Sequence, residues 1–580
     1  MSSQEGSQDQ IHKIRHSVSH LMATAVMEFF PKAKLGIGPV IENGFYYDFG
    51  LDRPLIELDL KKIEKRMKKL IAQNIAFVRK EVTSEEAKKL SSKQPYKLEL
   101  ISELIRDKKP LTYYVSEPFT DLCGGPHVQS TKEINPDAVK LISIAGAYWR
   151  GSEKNPMLQR IYGVAFETKE QLDGYLKQRE EAAKRDHRRL GSELSLFSFS
   201  PVAPGAVFWH PHGMIIWNEL EKLLRDMLRE EGYDEVQTPL MVKPELFTQS
   251  GHLAHYKDNM FMAQNPQKEE FYLKPMNCPE STIIYASKKH SYRDLPIRLA
   301  EIGRIHRNEL SGTLGGIFRV RQITQDDGHI YCRPDQLEAE LTNVLKLSKK
   351  IYKIFGLKPS FYLSTKPDNA MGDPHLWQQA EAALTNALKS NKLAYKEKPK
   401  DGTFYAPKID IDITDSLNRR WQLCTIQADL LMVPSLPGVE YTDEQGKTRK
   451  PMVIHRAIYG SFERFIGILT EHYAGAFPVW LSPIQVAIIP VGKSHNAFSR
   501  KLGKELAKVG VRTSVNEANE TVGYKIRNAE RKKVPYMLVI GDKEMKSSKL
   551  HVRLRGKKDI AVLAKKTFIA RILSEIQKKK

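Results

Sequence analysis

The sequence predicts a multidomain protein of the α+β class. Its 580 residues are too many for one hydrophobic core, and 41% of them are hydrophobic, as in well-packed globular domains. A charge-dense helical segment at 169–190 interrupts the chain, and the C-terminal region alternates strand-like and helix-like patterns. We therefore predict a first domain at 1–175, a linker helix at 176–195, a second domain at 196–480 and a third at 481–580.

The first domain opens with an amphipathic helix at 11–29. Apolar residues recur there at spacings of three and four, from Ile11 to Ala25, which indicates one buried face. β-like runs at 45–49 and 111–115 enclose a charged helix at 58–70. This mixture predicts an α+β domain.

The segment 169–190 is predicted as one helix that ends near Gly191. It is polar nearly all round, which is typical of a solvated connector between domains. In the second domain, an amphipathic helix is predicted at 215–231, and residues 233–239 run extended into a proline.

The third domain is predicted to be a small α/β domain. Apolar runs at 486–491 and 536–540 predict buried strands, and the alternating run at 552–555 predicts an edge strand. Helices are predicted near 495–508, 521–533 and 559–577.

Positive charge is concentrated in the third domain. The whole chain carries a net charge of +22, and residues 481–580 contain 24 Lys or Arg against 8 Asp or Glu. That asymmetry favours a polyanionic partner, above all a nucleic acid. A membrane surface would also attract it, but the sequence has no basic, aromatic-anchored amphipathic helix to match.

The composition favours a reducing compartment. Four cysteines in a chain of this length do not make a disulfide framework. The polar N-terminus has neither the apolar core of a signal peptide nor an Arg-rich transit pattern, and no run is long enough to span a membrane. We expect a cytoplasmic protein without membrane attachment.

Three motifs each contain a residue type that binds zinc. Cys278 lies in Pro-Met-Asn-Cys-Pro, His329 ends Gln-Asp-Asp-Gly-His, and His455 lies in Val-Ile-His-Arg-Ala. One thiolate and two imidazoles make a three-ligand tetrahedral zinc site with one position open. Because an open position lets the metal hold a substrate, the pattern predicts a zinc that binds a small molecule.

Arginines crowd the same stretch, at Arg307, Arg319, Arg321 and Arg464. Guanidinium groups suit phosphate oxygens, and the chain contains no complete glycine-rich Walker loop. A phosphate clamp would therefore consist of arginine side chains, which predicts an ATP-using enzyme. The alternative for Arg307-Asn-Glu309 is an ordinary surface ion pair.

The spacing between His455 and Arg464 offers a link between the two sites. If the segment is helical, the two residues fall on one side of the helix, about two and a half turns apart. The metal site and the phosphate site would then be physically joined.

A second constellation lies near the N-terminus. His16 and His20 are four residues apart on one predicted helix face, and Cys123 and His127 repeat the spacing across a Gly-Gly-Pro loop. Each pair alone is typical of ordinary packing or surface histidines. Together they predict either a zinc site or a polar pocket for a hydroxylated substrate.

These motifs, in this order, resemble those of class II aminoacyl-tRNA synthetases, whose catalytic domain is built on an antiparallel sheet. Thr238-Pro239 is similar to their first motif, at the dimer interface. The segment from Arg307 to Arg319 resembles the second and that from Gly460 to Arg464 the third. The Cys, His, His set is specific to the threonyl-tRNA synthetase family. The resemblance runs from about His12 to the C-terminus and includes that family's N-terminal α+β editing domain and C-terminal α/β anticodon-binding domain.

The resemblance implies ATP-dependent attachment of L-threonine to tRNA(Thr) through a threonyl-adenylate. One Zn²⁺ per subunit would bind the amino and hydroxyl groups of threonine, so valine would be rejected. Asp327 would pair with the amino group, and Tyr405 and Gln325 would line the pocket. The family's ATP-binding positions fall, with Mg²⁺, on Arg307 (α-phosphate), Arg319 (γ-phosphate), Glu309 (adenine amino group), Arg464 (stacked on the base), Ile323, Gln422 and Ser461.

Serine keeps the hydroxyl and lacks only a methyl, a difference that binding discriminates by about 1–3 kcal/mol. The resemblance therefore implies hydrolytic editing of seryl-tRNA(Thr), which the family performs without metal, although related alanyl enzymes can hold zinc in this motif. The editing positions are His16, His20, Cys123, His127, Asp121, Lys97 and Tyr47. Anticodon-reading positions fall on Asn519, Glu544 and Arg553, and a homodimer is implied.

The sequence departs from the family pattern at three places. A small ubiquitin-like domain usually precedes the editing domain, and we expect it to be missing. Ile323 stands where a phenylalanine usually stacks on adenine, and Glu280-Ser281 replaces Gly-His beside Cys278.

Two alternatives remain open at the level of sequence. One is a different class II synthetase, such as a prolyl or seryl enzyme, against which the Cys, His, His set speaks. The other is a synthetase-derived RNA-binding regulatory protein without charging activity, which would be expected to have lost arginines or zinc ligands.

Overall fold

The chain divides into two units at Glu180, within a helix. The computed structural model describes residues 2–557 and 559–580, with only the helical backbone described for residues 2–8. Unit 1 extends to Glu180 and unit 2 from Glu181 to Lys580.

Unit 1 combines helices with two antiparallel sheets. Its helices are α1 (Ser2–Phe29), α2 (Glu57–Ala72), α3 (Ser84–Leu90), α4 (Pro95–Arg106) and α5 (Lys169–Arg185), the last of which continues into unit 2. Its strands are β1 (Lys34–Leu35), β2 (Val40–Ile41), β3 (Gly44–Gly50), β4 (Val78–Glu81), β5 (Thr112–Ser116), β6 (Phe119–Leu122), β7 (Val139–Tyr148) and β8 (Met157–Ala165). The larger sheet has the order β1-β3-β8-β7 with β2 beside β3, and the smaller one is β4-β5-β6.

The core of unit 1 forms where α1 packs on the larger sheet. Val18, Met22 and Val26, spaced by four, are fully buried, as the periodicity of the sequence predicts. They join Phe45 and Phe49 of β3 in one apolar cluster. The same helix therefore presents His16 and His20 at a defined place above the sheet.

The first part of unit 2 is built around one large sheet. Its helices are α6 (His187–Glu193), α7 (Pro211–Glu230), α8 (Pro244–Gln249), α9 (His252–His255), α10 (Cys278–Ala286), α11 (Leu337–Ile354), α12 (Pro374–Ser390), α13 (Met432–Ser435) and α14 (Phe462–His472). Its strands are β9 (Phe197–Ser198), β10 (Phe208–Trp209), β11 (Asp234–Glu235), β12 (Met241–Val242), β13 (Phe261–Gln264), β14 (Glu270–Leu273), β15 (Ile297–His306), β16 (Gln322–Cys332), β17 (Lys358–Ser364), β18 (Tyr395–Lys398), β19 (Lys408–Thr414), β20 (Arg420–Asp429), β21 (Tyr441–Thr442), β22 (Thr448–Arg449) and β23 (Met452–Ser461).

The large sheet has the order β11-β15-β16-β23-β20-β19-β17-β18. The five pairings from β15 to β17 are antiparallel, and parallel pairing occurs at the two ends, β11 with β15 and β17 with β18. Helices α7, α11, α12 and α14 bury apolar side chains against one face. The opposite face carries the polar side chains Gln325, Asp327 and His329 of β16, and beside them a second apolar cluster that includes Leu299, Tyr331 and Val453.

The C-terminal part of unit 2 is a smaller α/β arrangement. It contains β24 (Val486–Pro490), α15 (Asn496–Lys508), β25 (Thr513–Val515), α16 (Val522–Arg531), β26 (Tyr536–Ile540), α17 (Asp542–Met545), β27 (Lys549–Leu554), β28 (Ile560–Ala564) and α18 (Lys565–Gln577). The strand order is β25-β24-β26-β27-β28, parallel over the first three and antiparallel beyond. The predicted α/β composition of the tail is confirmed.

Three local predictions were wrong. The helix predicted at 169–190 is two helices, because Asp186 leaves the helical conformation and caps α6 by accepting a hydrogen bond from Arg188 N. The helix predicted at 559–577 begins at Lys565, since residues 560–564 form the strand β28. β27 is therefore an interior strand, paired on both sides, and β28 stands at the edge.

Among the described residues, no helix has both the length and the apolar character needed to cross a bilayer.

The hydroxyl of Tyr352 ties α11 to the central sheet by donating to the carbonyl of Ile458, at 2.6 Å in a fully buried position. We expect Tyr352→Phe to lower the free energy of unfolding by about 1–3 kcal/mol, because a buried carbonyl loses its partner. Urea unfolding followed by tryptophan fluorescence measures it. Lys349→Ala, on the exposed face of the same helix, is the control, and equal midpoints for both variants would contradict the assignment.

Candidate active site and a second histidine–cysteine cluster

The three predicted metal ligands come together in unit 2. His329 on β16 and His455 on β23 are direct cross-strand partners, and their ring centroids are 4.9 Å apart. Cys278 is the first residue of α10, and its sulfur and one nitrogen of each imidazole lie within 4.8 Å of one another. All three side chains are buried.

The buried carboxylate of Asp429 orients one of the imidazoles. It contacts His455 Nε2 at 3.0 Å and accepts three backbone hydrogen bonds from residues 431–433, at 2.8–2.9 Å. With Nε2 bound to the carboxylate, Nδ1 of His455 carries the free lone pair. Sequence reasoning missed Asp429, because only the strand pairing reveals its position next to His455.

The donor set fits a zinc ion. Among the described residues, His455 Nδ1 and His329 Nε2 are buried atoms without a hydrogen-bond partner. Burial also lowers the pKa of His329 well below its ordinary value, so that imidazole is neutral, the form that binds metal. Two orphaned nitrogens beside a thiol are better explained by a cation than by packing.

The cleft beside the donors contains the residues predicted to bind the amino acid. Asp327, Gln325 and Tyr405 line it. Asp327 accepts hydrogen bonds from Asn277 Nδ2 at 3.1 Å and from Gly328 N at 3.0 Å. The Tyr405 hydroxyl donates to Gln427 Oε1 at 2.5 Å.

Two further residues were missed by sequence reasoning, Gln427 in the cleft and Asn277 behind it as a donor to Asp327. Gln427 lies opposite His455 on β20 and lines the cleft. Nothing in the sequence marks it, since its position follows from strand register alone. Asn277 precedes Cys278 within a motif that was noticed, so its role could have been considered.

The phosphate-binding candidates line the adjoining part of the cleft. They are Arg307, Glu309, Arg319, Ile323, Gln422, Ser461 and Arg464. Arg307, Gln325 and Gln422 line both parts, so the two are continuous. Arg321 stands apart from this set, because its backbone N–H donates to Gly205 and its guanidinium to the Glu309 carbonyl.

The arginines of the cleft differ in their surroundings. Arg464 is largely buried and donates to the Phe318 carbonyl at 3.0 Å, and burial together with Arg319 and Arg307 lowers its pKa. Arg319 is half exposed and pairs with Glu309 at 2.8 Å. To bind a nucleotide, Arg319 and Glu309 would each have to give up this ion pair and contact the nucleotide instead.

The sequence linked His455 to Arg464 only on the condition that the segment between them is helical, and that condition is not met. His455 lies in the middle of strand β23, and α14 begins only at Phe462. Gly460 makes the turn possible with a φ of +73°, where a Cβ would meet the Leu423 carbonyl at 2.6 Å. Ser461 then caps the helix by accepting from Arg464 N. The two residues are joined through the strand and its turn.

The N-terminal candidates form a second cluster in unit 1. One ligand atom each from His16, His20, Cys123 and His127 lies within 4.8 Å of the others. The Cys123 sulfur is 3.3 Å from both His16 Nε2 and His127 Nε2. His16 Nδ1 faces the Pro126 carbonyl at 3.1 Å, which places its proton there and leaves Nε2 as an acceptor.

Burial sets the protonation of this cluster. It lowers the pKa of His16, His20 and His127 and raises the pKa of the Cys123 thiol to about 11. At neutral pH the imidazoles are therefore uncharged and the sulfur is a thiol. His20 Nδ1 has no hydrogen-bond partner among the described residues.

A buried ion pair accompanies the cluster. Lys97 Nζ lies 2.7 Å from Asp121, and both side chains are only 4% exposed. The Tyr47 hydroxyl also donates to Asp121. A buried charge pair with satisfied hydrogen bonds holds its geometry, because separating it would strand two charges.

The three anticodon candidates lie in the tail. Asn519 is exposed, between β25 and α16, and Arg553 lies on β27. The Glu544 side chain is mostly buried. One of its oxygens accepts from Gly541 N at 2.8 Å and the other contacts His551. Glu544 therefore differs from the surface glutamate that composition alone suggests.

Family models match three segments of the chain. The family model described as tRNA synthetase class II core domain (G, H, P, S and T) matches residues 261–473, and the anticodon binding domain matches 485–575. The threonyl and alanyl tRNA synthetase second additional domain matches 112–162. The antiparallel sheet and its cleft are thus those of a class II aminoacyl-tRNA synthetase.

Full-length relatives define the family more closely. The threonine–tRNA ligase of Desulforamulus reducens is 48% identical over 97% of this chain and 88% of the relative, and that of Thermotoga petrophila is 49% identical over 98% and 88%. The solved RNA binding domain of threonyl-tRNA synthetase from Cryptosporidium parvum matches with a TM-score of 0.65 and 38% identity, covering 67% of this chain and 98% of that one. The chain belongs to the threonyl-tRNA synthetase family.

Asp429 offers a test of the metal site. We expect Asp429→Asn to weaken zinc affinity by about 10–100-fold, because an amide that donates to His455 Nε2 would leave the proton on Nδ1. Competition with a chromophoric chelator measures the affinity. Asp443→Asn, a carboxylate that organises a surface turn, is the matched control. Equal zinc affinities in the two variants would show that Asp429 does not contribute to metal binding.

Proposed function

We propose that the protein attaches L-threonine to tRNA(Thr) through a threonyl-adenylate formed from ATP. The observation that carries this proposal is the continuity of one cleft, with metal donors at one end and arginines at the other. Because Arg307 and Gln325 border both parts, a carboxylate activated there would meet the α-phosphate. The names of the relatives support the same activity.

Selection of threonine would depend on the metal. A zinc ion held by Cys278, His329 and His455 would supply an electrophile for the amino and hydroxyl groups of the amino acid. Asp327 would accept from the ammonium group, while Tyr405 would close the pocket around the side chain. A site that requires a hydroxyl rejects an analogue without it by roughly 10⁴–10⁵.

Activation would rely on positioning and charge. Arg307 would hold the α-phosphate and Arg319 the γ-phosphate, with Mg²⁺ neutralising phosphate charge. Arg464 would lie on the base and Glu309 would read the adenine amino group, with Ile323, Gln422 and Ser461 completing the nucleotide pocket. The hydrogen bond from the Arg464 guanidinium to the Phe318 carbonyl supports this, because a cation that is already held in place needs little rearrangement.

The cluster of unit 1 would hydrolyse seryl-tRNA(Thr). His16, whose pKa is lowered less than those of His20 and His127, would be the base that accepts a proton from water, while the uncharged His20 and His127 would hold that water as hydrogen-bond acceptors and Cys123 would supply a further polar contact. Lys97, Asp121 and Tyr47 would position the aminoacyl ester. The same four donors could also hold a metal, so the test below includes a chelator.

The remaining assignments follow from the family. We propose 1–175 as the editing domain, 176–195 as the linker, 196–480 as the catalytic domain and 481–580 as the anticodon-binding domain. Asn519, Glu544 and Arg553 would contact the anticodon, supported by the basic charge of the tail.

We also propose a homodimer with one Zn²⁺ per subunit, located in the cytoplasm. Leu240 and Met241, next to the first motif, are 40% and 49% exposed apolar side chains that a partner subunit would cover. The four cysteines are free thiols, as in a reducing compartment. A regulatory protein without charging activity is not proposed, since every predicted zinc ligand and cleft arginine is in place.

ATP–pyrophosphate exchange tests the central proposal. We expect exchange with threonine, weak exchange with serine and none with valine, because the metal site senses the hydroxyl and the pocket barely senses the methyl. Removal of zinc by a chelator should abolish exchange, and added zinc should restore it. No exchange with any amino acid would refute the synthetase activity, while chelator-resistant exchange would refute the metal-based selection.

His16 tests the editing proposal. We expect His16→Ala to slow hydrolysis of seryl-tRNA(Thr) by about 10²–10⁴-fold, the contribution of a positioned base, with threonine charging unchanged. His12→Ala, one turn earlier on α1 and exposed, is the control. Full hydrolysis by His16→Ala would exclude the cluster, and loss on chelation would indicate that a metal takes part.

A further inference from the structure

The loop between Glu309 and Arg319 is anchored at one residue. Residues 310–313 are exposed, whereas Ile317 is fully buried. The backbone N–H of Ile317 donates to His187 Nε2 at 3.1 Å. His187 belongs to α6, which follows the connector helix α5 and lies outside every motif considered above.

The position of His187 is set from its other side. Its Nδ1 lies 2.7 Å from Glu471 Oε1, and its backbone N–H donates to the same oxygen at 2.9 Å. A proton on Nδ1, facing the carboxylate, makes Nε2 an acceptor, which is the role that the Ile317 N–H requires. Both ring nitrogens are therefore engaged, so His187, Asp186 and Glu471 do not form a metal site despite their proximity.

The loop packs closely against His187 and α14. At Gly316, with a φ of +54°, a Cβ would lie 2.0 Å from His187 Nε2. At Gly467 of α14, a Cβ would meet the side chains of Phe318 and Ile317 at 2.8 and 2.9 Å. The loop is therefore pressed between α6 and α14.

The anchored segment leads directly into the proposed nucleotide pocket. The Phe318 ring lies 4.1 Å from the His187 ring, and the Phe318 carbonyl accepts from Arg464 Nε. Arg319 is the next residue. A shift of Ile317 would therefore move a hydrogen-bond acceptor of one cleft arginine and the backbone of another.

We propose that His187 is a positioning residue for ATP, which holds the loop through the Ile317 N–H and thereby places Arg319 and Arg464. The proposal rests on the proposed function, since it assumes that this cleft binds ATP. His187 itself does not line the cleft. It acts on the positions of Arg319 and Arg464, which do line the cleft. Displacing these arginines should weaken the binding of ATP and leave the binding of threonine unchanged.

Two substitutions separate the contacts of His187. In His187→Asn the amide nitrogen can replace Nδ1 and keep the bond to Glu471, but the acceptor for Ile317 is lost. In His187→Gln the amide oxygen can replace Nε2 and keep Ile317. We expect His187→Asn to raise the KM for ATP about tenfold, with the KM for threonine unchanged, and His187→Gln to restore most of the loss. Hydrogen exchange at the Ile317 amide should accelerate in the Asn variant alone.

A second pair of variants approaches the contact from the loop. We expect Gly316→Ala to raise the KM for ATP as His187→Asn does, because its Cβ would displace the loop from the imidazole. Gly312→Ala, in the same loop, meets nothing within 4 Å and should leave the KM unchanged. If a His187 variant fails to fold, this pair of variants still tests the positioning role of His187.

The outcomes distinguish this inference from the proposed function. Wild-type protein without ATP–pyrophosphate exchange would refute the proposed function. An active wild type with a normal KM for ATP in His187→Asn and Gly316→Ala would overturn the positioning role. A uniform loss of kcat and of affinity for both substrates in these variants would also overturn it, since that is the signature of a purely structural residue.

Discussion

The register between β16 and β23 is the constraint on which the candidate active site depends. His329 faces His455 across this pair, and side chains alternate along each strand, so Gln325, Asp327 and His329 share one face of β16. A slip of one residue would turn all three into the apolar core. The two histidine donors of the metal site, the amino-acid contacts and part of the nucleotide pocket therefore all depend on this one strand pairing.

Buried carboxylates maintain that pairing where the sheet becomes irregular. The register shifts between Gln325 and Asp327, and Asp326 between them accepts backbone hydrogen bonds from Ile458, Tyr459 and Gly460. Glu463 accepts from Thr324 N in the same region. Backbone groups that the sheet leaves unpaired are thus satisfied by side chains, which allows β23 to turn into α14 inside the core.

The sequence analysis predicted which residues belong to the site better than it predicted how the fold brings them together. Periodicity predicted α1 and the strands of the tail, because a single buried face leaves a local pattern. Asp429, Gln427 and His187 left no such pattern, since each acts on a residue distant in the chain through strand register or helix packing. The helix considered between His455 and Arg464 is absent for the same reason, because contacts distant in the chain decide the conformation of this segment. A nine-residue spacing is compatible with a helix, but the turn at Gly460 decides between helix and strand.

The two clusters handle different chemical differences, which explains why one protein would carry both. A metal that binds a hydroxyl separates threonine from valine by leaving a coordination position unsatisfied, whereas serine satisfies the metal equally well. Serine is also smaller, so no wall of the cleft can exclude it, and the missing methyl changes binding by only about 1–3 kcal/mol. Rejection then requires hydrolysis after attachment, which needs a site with bases rather than a stronger electrophile. The imidazoles around Cys123 meet that requirement, because burial keeps them uncharged at neutral pH and His16, whose pKa is lowered least, remains the strongest base of the three.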